Sequence, residues 1–166
     1  RRWTAHRNLL LDDQQRCFVA LLPRKPGHGI AACAAGAEAV VGLRLKGLGP
    51  SGEPLEAHPP LLRRVKGQSR WGDFAYQPVL ARQGRRTTRE HQLPLALMAL
   101  LLEQHQQGDV PSMLVLGGGG RRLEQERLHL SSGLRRQLSE GLRKLRSDLE
   151  RPVPPPLAAD LRKCSL

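Results

Sequence analysis

The chain has 166 residues, enough for one domain with a substantial core. With 27 Lys and Arg against 15 Asp and Glu, its formal net charge is +12, which favours a polyanionic partner, nucleic acid before an anionic membrane surface. Three widely spaced cysteines, Cys17, Cys33 and Cys164, exclude a disulfide framework and zinc-like spacing, and no apolar run approaches the ~20 residues a membrane span needs. A cytoplasmic protein is therefore expected, and no stretch of the chain reads as a signal peptide. Hydrophobic residues make up 39% but aromatics only 3%, so the core must be built from Leu, Ala and Val.

Residues 1–22 read as a helix, with Trp3, Leu9, Leu10, Cys17, Phe18, Leu21 and Leu22 at intervals that share a face; Pro23 and Pro26 end it. Residues 27–37 are small, as in a buried turn or a short helix, and Gly27-His28-Gly29 lacks the further glycines and the Lys-Ser/Thr ending of a phosphate loop. Ala39–Leu48 alternates like one strand, with Val41, Leu43 and Leu45 on one side and Arg44 and Lys46 on the other. Two more extended stretches, Leu61–Lys66 and Phe74–Arg82, flank the glycine-bracketed turn 67–73, which predicts a meander of three antiparallel strands. A basic turn with four arginines in eight residues (Arg82, Arg85, Arg86, Arg89) leads into a helix from about Glu90 to Gln106 that gathers Leu93, Leu97, Leu100 and Leu101.

Ser112–Leu116 is a short continuous apolar strand, as expected of a central or parallel position. Gly117–Gly120 reads as a hairpin turn into an alternating strand, Leu123–Leu130. Ser131 or Ser132 caps a helix to about Glu150, with a stripe of Leu134, Leu138, Leu142, Leu145 and Leu149 and a wet side of Arg135, Arg136, Arg143, Lys144 and Arg146. A proline-rich linker, 151–166, follows a domain spanning 1–150, and the chain is expected to be cut from a longer protein. The fold class is thus α/β: a small mixed sheet, meander plus central strand, flanked by helices.

Phosphodiester hydrolysis in a fold of this size needs carboxylates converging on a divalent metal, with a lysine to orient or activate water. Between residues 55 and 90 the acids are Glu56, Asp73 and Glu90, and none pairs with another at strand spacing. His58, His91, His105 and His129 are scattered and read as surface or partly buried histidines. No zinc-peptidase, nucleophile-elbow or paired-cysteine motif occurs.

The stretch from His58 to Leu102 resembles the RecB-like branch of the PD-(D/E)XK nuclease superfamily, close to the nucleases related to CRISPR spacer acquisition. Pro59-Pro60-Leu61-Leu62 is similar to that family's Pro-Asp-Leu-Leu strand end. Gly67-Gln68-Ser69-Arg70-Trp71-Gly72-Asp73 is similar to its Gly-x-Ser-Arg-x-Gly-Asp turn, and Tyr76-Gln77-Pro78-Val79-Leu80-Ala81-Arg82 to its Tyr-x-Pro-Val-Asp-x-Lys strand. Pro94-Leu95-Ala96-Leu97-Met98 matches the place of its Gln-x-x-x-Tyr helix motif.

The resemblance implies a restriction-endonuclease-like fold, Mg or Mn at the site, and a [4Fe–4S] cluster held by a terminal cysteine group. The departures fall on the chemistry. The family's acids fall on Pro60 and Leu80, its lysine on Arg82, and its Gln and Tyr on Pro94 and Met98. Arginine stays charged and is no substitute for lysine in proton transfer. The segment Asp160–Leu166 resembles the start of the cysteine cluster, but Cys164 alone cannot supply the four thiolates required.

The expectation is a catalytically degenerate domain that binds nucleic acid, DNA before RNA, through Arg70, Arg82, Arg85, Arg86 and Arg89, with Trp71 and Tyr76 as candidates to stack on a base. The rivals are an active metal-dependent nuclease using displaced acids such as Glu56, Asp73 or Glu90, and a non-catalytic subunit that docks on a protein partner.

Overall fold

The computed structural model describes residues 25–83, 86–118 and 123–151. The helix expected over 1–22, Arg85, and the segment with Cys164 lie outside them.

The main sheet has six strands in the order β1-β2-β5-β6-β7-β8. They are β1 (Gly27–His28), β2 (Ala39–Val41), β5 (Leu61–Ser69), β6 (Gly72–Gln83), β7 (Met113–Gly118) and β8 (Leu123–Leu128). A small second sheet pairs β3 (Leu45–Leu48) with β4 (Pro54–Ala57). Helix α1 is Gly29–Ala34, α2 is Arg89–Gln106 and α3 is Ser132–Glu150. Of the two readings for residues 27–37, the short helix is the one formed.

The expected meander is present. β2, β5 and β6 pair antiparallel in sequence, α2 crosses over, and β7 returns parallel to β6. This is the mixed sheet flanked by helices that the sequence pattern implied. β6 is central and buried from Ala75 to Val79, so it reads as an almost unbroken run of small and apolar residues. Its one carboxamide in that run, Gln77, accepts a hydrogen bond from Ser112 Oγ at 2.7 Å.

The single strand expected over 39–48 is instead broken. Gly42 adopts φ +66°, a left-handed conformation that glycine takes without steric cost, and the chain leaves the main sheet there. β3 then pairs with β4 and packs on α2, where Gln104 Nε2 donates to Leu48 O at 2.7 Å. The predicted alternation survives the break, with Leu43 and Leu45 buried and Arg44 and Lys46 exposed. The hairpin turn is also shorter than 67–73. β5 runs to Ser69 and β6 starts at Gly72, with an irregularity between Lys66 and Ser69.

Helix α2 corrects a second expectation. Leu95, Ala96, Ala99, Leu101, Leu102 and Gln106 are buried, whereas Leu93, Leu97 and Leu100 are only half-buried. The helix is apolar nearly all round because it is covered on two sides. Its Gln106 side meets β6, and its Leu100 side faces Leu138 of α3. Ser131 caps α3 by accepting from Leu134 N–H at 3.2 Å, and Arg135 grips Glu103 of α2 through two hydrogen bonds of 2.8 and 2.9 Å. Among the described residues no helix is long and apolar enough to cross a membrane.

Candidate nucleic-acid interface

The strand register brings the family positions to one end of the sheet. Leu61 pairs with Val79, so Pro60 stands just before β5 at the level of Leu80. Leu80 pairs with Val115 and Arg82 with Gly117 on β7, which in turn face Glu126 and Glu124 on β8. Leu80 packs against the main hydrophobic core, Pro60 is exposed, and Met98 is half-buried against that core. Pro94 is exposed on α2 and has no N–H for the carbonyl of Glu90.

Arg82 is one of the arginines expected to bind nucleic acid from the basic turn. Its side chain is 3% exposed, and Nη2 lies 3.7 Å from Glu124 Oε2. The guanidinium lies over Gly117, where a Cβ would stand 2.8 Å from Cζ. Period two explains the burial, since Arg82 shares its face with Leu80 and Tyr76, the face that α2 covers. Glu126 accepts the hydroxyl hydrogen bond of Thr87, so both β8 acids are engaged with the start of the basic turn.

The side chains of Pro60, Leu80 and Arg82 offer a divalent cation no oxygen ligand, and they do not fit the metal that the resemblance implies. Among the described residues no group of three or more His, Cys, Asp or Glu is placed to hold a metal ion. The one described cysteine, Cys33, is fully buried, and burial pushes its thiol up to about 11. It does not fit an iron–sulfur cluster.

The three acids of the active-nuclease reading do not converge. Asp73 is exposed at the tip of the β5–β6 hairpin, and Glu90 is exposed in the first turn of α2. Residues 74–83 of β6 lie between those places. Glu56, on β4, takes hydrogen bonds from Arg44 Nε at 2.6 Å and Nη2 at 2.9 Å, and His58 Nε2 lies 2.8 Å away. The Arg44 hydrogen bonds, more than any other influence, hold its carboxyl below the ordinary value of 4.5.

A lowered folded-state pKa stabilises the fold above the ordinary value and ceases to do so as pH falls through the lowered one. Replacing Glu56 with Gln is therefore expected to remove that contribution at neutral pH and to flatten the pH dependence of stability below 4.5. Denaturant melts at a series of acid pH values check this. An unaltered profile would show that the pair is idle.

The predicted arginines divide into two places. Arg86 and Arg89 are exposed together beside the start of α2, where Thr88 N–H donates to His91 Nδ1 at 3.1 Å and fixes the first turn. Arg70 sits at the other end, its N–H bound to Gln106 O at 2.8 Å. Twelve residues of strand separate the two ends by roughly 36 Å, at about 3.3 Å per residue.

Arg70 has company that the sequence reading did not assign to it. Arg63, Arg64 and Lys66 are exposed on the same hairpin. Arg64 also lies over the Phe74 ring, 5.9 Å from its centroid. The signal is visible in the sequence as three basic residues within Leu61–Lys66, a stretch that reads there only as an extended strand.

Of the two stacking candidates, Tyr76 is fully buried and its hydroxyl donates to Ala37 O at 2.7 Å. Burial first, and the neighbouring Cys33 second, push its phenol up to about 12. Trp71 is half-buried, with its ring edge-on to Tyr76 at 6.0 Å. Tyr76 is therefore core, and Trp71 covers it.

No family model matches the chain, and no curated protein matches it.

Proposed function

We propose that this chain is a RecB-like nuclease-scaffold domain that binds nucleic acid, DNA before RNA, in the cytoplasm and does not cut it. The observation that carries the reading is the end of β6. The meander, crossover helix and parallel strand bring Pro60, Leu80 and Arg82 together where the resemblance places metal ligands and lysine, and these residues are a proline, a half-buried leucine packed against the core and a buried ion-paired arginine. The neighbouring basic turn supports a role in binding. Arg86 and Arg89 are exposed, and the whole chain carries +12. Such cations neutralise backbone phosphates without reading sequence.

Binding of a labelled single strand and of a duplex, followed across a salt series, tests this. The double substitution Arg86→Ala/Arg89→Ala is expected to weaken binding about tenfold and to lower the slope of log affinity against log salt by about 2. Absence of binding at low salt would overturn the reading. Cleavage that needs magnesium or manganese would overturn its non-catalytic part.

A further inference from the structure

At the tip of the β5–β6 hairpin an open cleft of about 610 Å³ lies between the turn and the loop that follows α2. Gln68, Ser69 and Arg70 form one wall, and Gln107, Gly108 and Asp109 the other. Both walls are tied down. Arg70 N–H donates to Gln106 O at 2.8 Å, and the fully buried Gln106 carboxamide donates to Gly108 O and Asp109 O at 3.2 and 2.9 Å. Gly108 lets the walls approach closely, since a Cβ there would stand 2.5 Å from Gln68 O.

Arg70 and Asp109 form no ion pair among the described residues, so a cation and an anion face the cleft from opposite walls. On the hairpin side Lys66, next to the lining residue Gly67, is exposed.

We propose that this cleft binds a nucleoside monophosphate, free or as the terminal residue of a strand. The planar fork of Arg70 suits a phosphate, gripping it through paired hydrogen bonds. Gln68 and Gln107 each carry a donor and an acceptor side by side, the pattern that reads the edge of a base. Asp109 accepts from a sugar hydroxyl or an exocyclic amine. The cleft volume lies within the range of small-molecule sites.

The inference stands apart from the arginine pair at the start of α2, because one nucleotide cannot reach across roughly 36 Å of strand. Titration calorimetry of the whole chain with AMP, GMP, CMP and UMP, and separately with inorganic phosphate, tests it. At least one nucleotide is expected to bind below about 1 mM, with phosphate at least about tenfold weaker.

Arg70→Ala, an exposed change, is expected to weaken the nucleotide by about tenfold or more, and Asp109→Asn to weaken the nucleotide but not phosphate. Arg86→Ala/Arg89→Ala is expected to leave nucleotide binding unchanged. The proposal is overturned if no nucleotide binds, if phosphate alone binds as well, if Arg70→Ala has no effect, or if the Arg86/Arg89 variant loses the nucleotide. Failure here with intact strand binding leaves the reading of the basic turn in place, and the reverse result leaves the cleft in place.

Discussion

Replacing Gln106 with leucine is expected to lower stability by about 3 kcal/mol, read as a lower denaturant midpoint at unchanged slope. Gln106 is fully buried at the last position of α2. Its Oε1 accepts from Tyr76 N–H at 3.1 Å, and its Nε2 serves two loop carbonyls. The reason lies in the sheet. Arg64 N–H is bound to Glu38 O on the β2 side, so Tyr76, which pairs with Arg64, points its own N–H away from β5. Pairing with β7 begins only at Val79, and Tyr76 would have no strand partner. The glutamine side chain supplies the missing acceptor. Leucine fills the volume but strands a buried donor, and each such orphan costs about 1–3 kcal/mol. A loss below about 0.5 kcal/mol would show that the backbone finds another acceptor.

Gly108→Ala is expected to cost about 2 kcal/mol. The added Cβ would meet the backbone oxygen of Gln68 at 2.5 Å, and backbone cannot swing aside as a side-chain tip can. Relief requires the loop after α2 to move off the hairpin, which strains the Gln106 bond to Gly108 O. Thermal melts would register the change. An unchanged melting temperature would mean that the loop and hairpin already separate freely.

Secondary structure was legible wherever periodicity and punctuation agreed. Ser131, the glycine-bracketed hairpin, the apolar run 113–116 and the long leucine-rich helix all lie where the pattern placed them. Two features escaped because they depend on partners distant in sequence. A helix apolar on all sides does not reveal which side meets the sheet, so Leu93, Leu97 and Leu100 were chosen over Leu95, Ala99 and Leu102. Nothing local to 39–48 says that β3 will leave β2 for β4, although Gly42 marks the place.

The candidate site was legible as a list of positions but not as a geometry. Four arginines close together in sequence read as one basic turn, yet Arg82 is turned inward, over Gly117 and towards Glu124. Arg70 stands apart from Arg86 and Arg89 because a hairpin carries its tip far from its base. The part played by Gln106 was invisible. A glutamine near a helix end looks like surface until the strand it completes is known.

β8 closes the described sheet with its outer edge unpaired, and such an edge is a template for another chain. Glu124 and Glu126 point to the same face of it, two residues apart. If a second copy extended the sheet by antiparallel pairing about a two-fold axis, only residues of like parity would stand opposite one another. Centred on Glu124, Gln125 or Glu126 alike, that pairing sets a glutamate against a glutamate. The acids that hold Arg82 and Thr87 thereby also oppose edge-to-edge pairing of two copies through β8.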